Sequence, residues 1–451
     1  MTPEPTVPLM VAPFRLDSLR EQPGDPPSRR PNPPSRASRR QGGGRRRRGR
    51  RRAFLLVLLV VVLVVGAAAA FVGVRLRAAD PAPAVTPVLD ADVGVPARSL
   101  APQLPWPSVG QGAVAIPSIG VDLASGPEQP VPVASLTKLM TAYLVLRDHP
   151  LGLNEPGPAV TVTPADVADY ETDAVSDDVN AQVAAGERLT EQQLLGGLLV
   201  HSADNYADLL ARWDAGSITA FVTEMNAAAA GLGMRQTHFA DPSGVSAGSV
   251  STAADILKVA ALDMANPVVD GFVRMSSVTL PLAGTIATYT PLLGLDGIIG
   301  VKSGFTVAAG GCDVVAVERV IHGRSTLVLA AVTGQQGPSV LAQAGLHGLA
   351  LVNAVVPLVG ARSVLGLGDV VARVSSGGKV VDGRAAWTVS MLTWPGVTAR
   401  RVFEPAHHLT DQARRGAVVG SVAVTLGTQR VVVPVRLSGD VPRPSMLEKL
   451  F

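Results

Sequence analysis

The chain has 451 residues, of which 47% are hydrophobic and 17% charged. This length and apolar content allow two or three domains with a sizeable core, and they exclude a chain that is disordered throughout. The formal net charge of +3 is unevenly distributed, because residues 1–52 carry 14 arginines against four acidic residues, a balance of +10 that leaves −7 for the other 399 residues. The basic character belongs to one end of the chain, so no nucleic-acid partner is expected.

Residues 1–52 are rich in Pro, Gly and Arg and lack hydrophobic periodicity. Such a stretch cannot bury enough apolar surface to fold alone, so we predict a disordered basic tail. Residues 53–74 carry no charge and, as a helix, span roughly 33 Å, which is enough to cross a bilayer core. Arginines at the N-terminal edge of this segment predict a cytoplasmic tail and an exported remainder.

Two alternatives to this interpretation exist. The basic block could contact RNA or anionic lipid, and small residues at positions 67–70 could be a signal-peptidase site. A signal peptide, however, has a short basic region and an apolar core of about 7–15 residues. The sequence therefore favours an uncleaved single-pass anchor in the cell membrane. The single cysteine, Cys312, excludes an internal disulfide.

Three regions follow the predicted anchor. Residues 75–111 are rich in Pro and Ala and predict an extended linker. Residues 112–357 mix helical and strand patterns and contain a Ser-x-x-Lys, a Ser-x-Asp and a Lys-Ser-Gly motif, so they are predicted to form the catalytic domain, although no clear strand pair is evident before Ser135. Residues 362–440 contain short alternating Val-rich segments separated by turn signals, which predict a small β-rich, sandwich-like domain. Strands are expected at the following residues: 370–374, 387–392, 397–403, 418–426 and 430–437.

The catalytic domain contains the motif Ser135-Leu-Thr-Lys138 in a mostly apolar segment that predicts a helix beginning near Ser135. Residues three apart share a helix face, so the Lys138 amine can reach the Ser135 hydroxyl, while apolar neighbours disfavour the charged ammonium. The alternative is a serine helix cap beside a lysine that reaches solvent. A second copy, Ser376-Gly-Gly-Lys379, lies between predicted strands and is interpreted as a turn.

Ser202-Ala-Asp204 lies on a short connection between two predicted helices, where a hydroxyl can reach the edge of a cleft; alternatively, Ser202 or Asp204 caps the second helix. Lys302-Ser303-Gly304 lies in the first of three predicted antiparallel strands. A cation, a hydroxyl and a glycine on a strand edge could bind a substrate carboxylate, although an exposed lysine on an edge strand is also common. Each motif is weak alone, but their order and their intervals of 67 and 100 residues strengthen the assignment.

With these motifs, the chain resembles a serine D-alanyl-D-alanine carboxypeptidase, a low-molecular-mass penicillin-binding protein of the β-lactamase-like superfamily. The resemblance covers about residues 112–345 and includes Asp241-Pro-Ser-Gly244. It implies an α+β fold, with an antiparallel sheet flanked by helices. It also implies peptidoglycan D-Ala-D-Ala stem peptides as substrates and β-lactams as inhibitors.

The resemblance also implies residue roles. Ser135 is the expected nucleophile and Lys138 its general base, while Ser202 relays a proton to the leaving amine. The expected substrate-contacting residues are Asp204, Asn205, Lys302, Ser303, Gly304 and Phe305, with the backbone N–H groups of Ser135 and Phe305 forming an oxyanion hole.

Two positions depart from the family pattern. Ser303 replaces a threonine and keeps the hydroxyl. Asp204 replaces an asparagine, which removes an amide donor and places a negative charge near Lys138; Asn205 is an alternative source of the amide.

Two other functions stay open: a catalytically weakened cell-wall-binding or regulatory protein, and a β-lactamase. The second lacks the Glu-x-x-Leu-Asn stretch that would supply a deacylating carboxylate. No cofactor is expected, and the histidines, acids and single cysteine form no recognisable metal site.

Overall fold

The structure is a computed structural model that describes the following residues: 46–77, 83–89, 91–96, 104–173, 179–406, 409 and 413–442. It divides into two units, Met1–Arg77 and Ala78–Phe451. Residues 1–45 of the predicted tail lie outside the described residues.

The described part of the first unit is one helix, α1 (Arg46–Arg77). Between Arg52 and Arg77 it is long and apolar enough to cross a membrane, and an 18-residue window within this span has a mean hydropathy of 3.2. This helix fits a membrane anchor. It begins before the predicted anchor at residue 53, because arginine favours the helical conformation and continues the apolar helix toward its N-terminus.

In the second unit, helices alternate with short strands until residue 273, after which strands dominate. The helices are α2 (Thr137–Asp148), α3 (Pro164–Asp173), α4 (Glu191–Gly196), α5 (Asp204–Ala215), α6 (Ile218–Gly231), α7 (Ala253–Ala265), α8 (Pro267–Val273) and α9 (Val340–Val355). The strands are β1 (Ala84–Pro87), β2 (Asp92–Gly94), β3 (Gln111–Ile116), β4 (Val121–Ala124), β5 (Val131–Pro132), β6 (Ala159–Thr161), β7 (Arg188–Thr190), β8 (Val250–Ser251), β9 (Ser277–Leu280), β10 (Gly284–Ala287), β11 (Ile298–Thr306), β12 (Gly310–Ile321), β13 (Arg324–Gln335), β14 (Gly360–Leu365), β15 (Val370–Ser376), β16 (Lys379–Ala385), β17 (Val389–Thr393), β18 (Thr398–Pro405), β19 (Val418–Leu426) and β20 (Gln429–Leu437).

A five-stranded antiparallel sheet with the order β11-β12-β13-β3-β4 forms the centre of the region predicted to be the catalytic domain, within the described residues. Alternate residues of β12 face opposite layers, as the pleat of a strand requires. Val314 and Ala316 belong to the core cluster that contains α2 and α7, whereas Val315 and Val317 belong to the cluster that contains α9. The sheet is therefore buried on both faces, and β11 is an edge strand.

The strand pair β3 and β4 precedes Ser135, where the sequence indicated no clear pair. The expectation was wrong because β3 reads Gln-Gly-Ala-Val-Ala-Ile, and Gly and Ala have weak strand propensity. Burial on both faces, rather than an alternating pattern, stabilises this strand.

The C-terminal region is built from β14 to β20, and the five predicted strands are present with small boundary shifts. The turn interpretation of Ser376-Gly-Gly-Lys379 is confirmed, since Ser376 pairs with Lys379 and both intervening glycines have positive φ. Two short strands within the range predicted as a linker, β1 and β2, pair with β15 and β18.

Candidate active site

Ser135 lies in a 3₁₀ turn, Ala134–Leu136, that leads directly into α2. The predicted helix therefore begins with a tighter turn, and Ser135 and Lys138 share a face as expected. The Lys138 Nζ atom lies 3.0 Å from Ser135 Oγ, and the lysine is fully buried. Burial of Lys138 behind Ser135 rules out the alternative of a lysine that reaches solvent.

Three oxygen atoms surround the Lys138 amine. Besides Ser135 Oγ, Nζ contacts the Asp204 carboxylate and donates to the Ser243 carbonyl oxygen at 2.8 Å. A neutral amine has two protons and one lone pair. When the two protons point at Asp204 and Ser243, the lone pair faces the Ser135 hydroxyl, which is the geometry a general base requires.

The loop that supplies the Ser243 carbonyl is organised by Asp241. Its Oδ2 atom accepts hydrogen bonds from Ser243 Oγ at 2.7 Å and from the Gly244 amide at 2.8 Å. Gly244 packs against the nucleophile turn, because a Cβ atom there would lie 1.9 Å from the Ala134 carbonyl oxygen. The loop therefore fixes both Lys138 and the turn that carries Ser135.

Ser202 and Asp204 lie between a π-helical turn, Gly197–His201, and α5. Neither side chain caps α5, because the N-cap residue is Ala203 and no side-chain cap bond is present. Ser202 is buried with φ = 75°, and its Oγ makes no hydrogen bond to any residue that the structure describes.

Asp204 contacts more than Lys138. Its Oδ2 atom accepts a hydrogen bond from the Val179 amide at 2.9 Å, which fixes the carboxylate between the lysine and a neighbouring segment. Asn205 is directed at the same segment, since its side chain donates to the Ala181 carbonyl at 2.8 Å and accepts from the Ala181 amide at 3.1 Å. The Asn205 amide is therefore engaged by backbone, and Asp204 is the residue beside Lys138. A cavity of about 330 Å³ that Asp204 lines opens here.

The third motif lies on the edge strand β11, beside Ser135. A Cβ atom on Gly304 would lie 2.6 Å from the Ser135 backbone nitrogen, so only glycine allows this close approach. Phe305 follows on the same strand, and its side chain is 45% exposed. The structure thus brings β11 and Ser135 together, as the predicted site required.

Lys302 and Ser303 are buried at this edge, unlike the exposed lysine of the alternative interpretation. The Lys302 Nζ atom donates to the Ser303 carbonyl at 2.8 Å and lies 5.5 Å from the centre of the Tyr289 ring. Burial lowers the pKa of the Lys302 ammonium well below its usual value, and the charge of Lys138 lowers it further, while Asp204 and Asp313 oppose the shift.

Two residues near the third motif escaped the sequence interpretation. Tyr289 lies next to Lys302, and burial raises the pKa of its phenol with a further contribution from the Asp204 charge. Asp313 is buried on β12 and accepts a hydrogen bond from Ser303 Oγ at 3.0 Å. A charged residue inside an otherwise apolar strand, Cys-Asp-Val-Val-Ala-Val, was the available signal for Asp313.

Among the residues that the structure describes, one cluster of three acidic side chains, which lies away from these motifs, could hold a cation. Oxygen atoms of Asp148, Asp214 and Glu224 lie within 4.8 Å of one another. Arg147 already pairs with Asp148 and Glu224, and the His149 ring nitrogen lies 3.0 Å from Asp214. These contacts describe a surface ion-pair network.

The region that contains the three motifs is similar to known proteins. Residues 121–333 match the family described as D-alanyl-D-alanine carboxypeptidase. The D-alanyl-D-alanine carboxypeptidase DacB2 of Mycobacterium tuberculosis is 35% identical over 223 residues, which cover 47% of this chain and 71% of that protein. The D-alanyl-D-alanine endopeptidase of Pseudomonas aeruginosa is 38% identical over 133 residues, which cover 30% of this chain. The chain spans 40% of the length of this endopeptidase.

A solved structure extends the likeness beyond the catalytic region. The peptidoglycan synthesis regulatory factor (PBP3) of Streptococcus pneumoniae has a TM-score of 0.57 and 21% identity, covering 74% of this chain and 99% of that chain. This likeness concerns the fold, and it confirms the predicted α+β class.

Proposed function

The chain belongs to the D-alanyl-D-alanine carboxypeptidase family, and from this premise we propose that it removes the terminal D-alanine of peptidoglycan stem peptides through an acyl-enzyme. The observation that carries the proposal is the buried Lys138 amine at 3.0 Å from Ser135 Oγ, with two other oxygens engaging its remaining protons. This arrangement supports a serine nucleophile with a lysine base.

In the proposed reaction, Ser135 Oγ attacks the carbonyl carbon of the penultimate D-alanine while its proton passes to Lys138 Nζ. The backbone N–H groups of Ser135 and Phe305 stabilise the oxyanion, a contribution of roughly 3 kcal/mol per donor. Collapse of the tetrahedral intermediate breaks the peptide bond, and Ser202 relays a proton to the departing amine of D-alanine. Water then hydrolyses the Ser135 ester and regenerates the enzyme.

The terminal carboxylate of the substrate is held by Lys302 and Ser303 in this proposal. A buried cation and a hydroxyl on an edge strand offer charge-assisted hydrogen bonds to a carboxylate, and Gly304 lets the substrate backbone approach Ser135. Asp204 acts on the substrate indirectly, since it positions Lys138, and Asn205 holds the Val179–Ala181 segment beside it.

The proposal places the reaction outside the cell. Helix α1 would be a single-pass membrane anchor with the arginine-rich end in the cytoplasm and the catalytic region on the other side. A tag on the N-terminus should be protected from protease added to intact cells. Digestion of that tag from outside would contradict the orientation.

One assay tests the activity. Residues 76–451 are purified, and two quantities are measured: acylation by a labelled penicillin and release of D-alanine from a peptide that ends in D-Ala-D-Ala. We expect both in the wild type and neither in Ser135→Ala. Absence of labelling in the wild type would refute the acyl-enzyme mechanism. Labelling without release would favour a binding or regulatory protein, and rapid turnover of the penicillin would favour a β-lactamase.

The P. aeruginosa relative is named an endopeptidase, so the same assay includes a cross-linked peptide dimer. Cleavage of the dimer at a rate above that of D-alanine release would make endopeptidase action the main activity. The same serine and lysine would carry out either hydrolysis, so Ser135→Ala is the control for both.

A further inference from the structure

Asp313 and Ser303 are register partners on the antiparallel strands β12 and β11. Both residues are buried, and the Ser303 hydroxyl donates to Asp313 Oδ1 at 3.0 Å. The other carboxyl oxygen, Oδ2, has no hydrogen-bond partner among the described residues. A carboxyl group therefore lies directly behind a hydroxyl that the proposed function assigns to substrate binding.

We propose that Asp313 is a positioning residue that sets the direction of the Ser303 hydroxyl and thereby makes recognition of a substrate carboxylate depend on pH. The inference rests on the proposed function, because it concerns the site that holds the terminal carboxylate.

The hydroxyl of Ser303 has one proton to donate. When Asp313 is ionised it can only accept, so it takes the Ser303 proton in a hydrogen bond, and the serine oxygen then turns lone pairs toward the substrate carboxylate. When Asp313 is protonated it can donate to Ser303 Oγ, which frees the serine proton for the carboxylate. Protonated Asp313 thus supports tight binding, while ionised Asp313 opposes it and partly neutralises Lys302 nearby.

The surroundings of Asp313 bring the pKa of its carboxyl group into the physiological range. Burial raises the pKa of the Asp313 carboxyl to about 7, although the Ser303 hydrogen bond and the Lys302 charge oppose the rise. On β12 itself, Cys312 is the adjacent ionisable group. The facing part of β13, residues 332–335, has no ionisable side chain.

Helix α9 covers the other side of the carboxyl group. A Cβ atom on Gly345 would lie 2.7 Å from Asp313 Oδ2, so this glycine makes room for the carboxyl group. The ionisable residue of α9, His347, is two positions further and lies about 200° around the helix. Lys302 is therefore the charged side chain with the main electrostatic effect on the Asp313 carboxyl group.

The test uses the full chain in detergent and measures kcat and KM for a peptide that ends in D-Ala-D-Ala between pH 6 and 8. We expect KM to rise about tenfold over this range as Asp313 loses its proton. Asp313→Asn, whose amide can donate to Ser303 at any pH, should keep the low KM at pH 8. Cys312→Ala, a buried change at the neighbouring position, should retain the wild-type rise and controls for altered packing.

A wild-type KM that does not change with pH, or an equal rise of KM in Asp313→Asn, would overturn this inference and leave the proposed function intact. Absence of both D-alanine release and penicillin labelling at every pH would overturn the proposed function and the inference with it. If Asp313→Asn does not fold, a competition experiment on the wild type tests the inference instead. A peptide with a free C-terminal carboxylate should inhibit penicillin labelling about tenfold less strongly at pH 8 than at pH 6. The same peptide with a C-terminal amide should inhibit equally at both pH values. Equal behaviour of the two peptides would refute the role of Asp313.

Discussion

Gly304 has no side chain, and the space where one would lie is occupied by the backbone of Ser135. A Cβ atom there would be 2.6 Å from the Ser135 nitrogen and 3.2 Å from its Cα. Because both of these atoms belong to the backbone, the turn that carries Ser135 would have to move. We expect Gly304→Ala to slow penicillin acylation by about 100-fold or more, since the displaced Ser135 N–H is a proposed oxyanion donor.

A matched control separates this local clash from a general effect of replacing glycine. Gly231, in α6, has nothing within 4 Å of the place that a Cβ atom would take, and its φ is not positive. Gly231→Ala should leave the acylation rate unchanged. Equal acylation rates in Gly304→Ala and the wild type would show that β11 and the nucleophile turn are not rigidly held together.

Asp204 places a negative charge beside Lys138, the proposed general base. Replacement by asparagine keeps an oxygen that can accept from Lys138 but removes the negative charge that stabilises the ammonium form. Asp204→Asn should therefore accelerate penicillin acylation at pH 7 by up to about tenfold. The measurement is the second-order labelling rate at several pH values.

The control for this charge change is Asp208→Asn, which removes an acid one turn further along α5 that lines the same cavity. We expect no acceleration in that variant. Slower labelling in Asp204→Asn would indicate that the carboxylate takes part in proton transfer.

Residues differ in how far their roles could be predicted. Ser135 and Lys138 were predictable because the spacing of one helix brings them together. The Ser303–Asp313 contact was not, because it depends on the register between β11 and β12, and no local pattern specifies that register. The direction of Asn205 depends equally on a neighbouring segment, Val179–Ala181, that is distant in sequence.

At the scale of secondary structure, α7 carries a buried acid outside the site. Asp263 is 1% exposed, and its Oδ2 atom makes no hydrogen bond to a described residue. Burial raises the pKa of this carboxyl well above its usual value. A raised native pKa means that the native state binds the proton more tightly than the unfolded state, so stability is lost as pH rises from the unfolded pKa to the native one.

Asp263→Asn removes this pH-dependent cost. The free energy of unfolding should exceed that of the wild type by about 1–3 kcal/mol at pH 8, and the difference should shrink toward pH 4. Urea denaturation at several pH values measures it. Asp270→Asn, at a partly exposed aspartate that pairs with Arg274 at the end of α8, should show no such gain. A gain that does not vary with pH would mean that ionisation of Asp263 is not the cause.

Elements were predictable where one face alone is buried or a turn is marked. Turn glycines located the end of β15, although the strand that follows the turn, β16, was not predicted, and alternation located β19 and β20. The pair β3 and β4 was missed because both strands are short, and because β3 is rich in Ala and Gly and is buried on both faces, which removes the alternation that marks a strand. The π-helical turn before Ser202 also lies beyond local propensity, since its partners include Tyr289, whose amide donates to the Val200 carbonyl.

At the scale of the whole molecule, the chain combines an apolar helix with a separate folded unit. The change in composition at residue 53 was enough to predict the helix, because 22 consecutive uncharged and mostly apolar residues are typical of a membrane-spanning helix. The partners of β1 and β2 were not predictable, since the Pro-rich segment that contains them resembles a linker and its pairing depends on distant strands.

The unit Ala78–Phe451 has its own hydrophobic cores and is expected to fold without α1. Residues 78–451 should therefore be recovered without detergent and be acylated by penicillin within about twofold of the full-length rate, because the site lies entirely in this unit. The full chain should instead sediment with membranes and be released by detergent but not by high salt, since residues 53–74 of α1 form an uncharged apolar stretch whose insertion into a bilayer salt does not weaken. Release by salt alone would mean that the basic residues, not the apolar helix, hold the protein at the membrane. Loss of acylation in the shorter chain, with its circular dichroism unchanged, would show that the anchor contributes to the site.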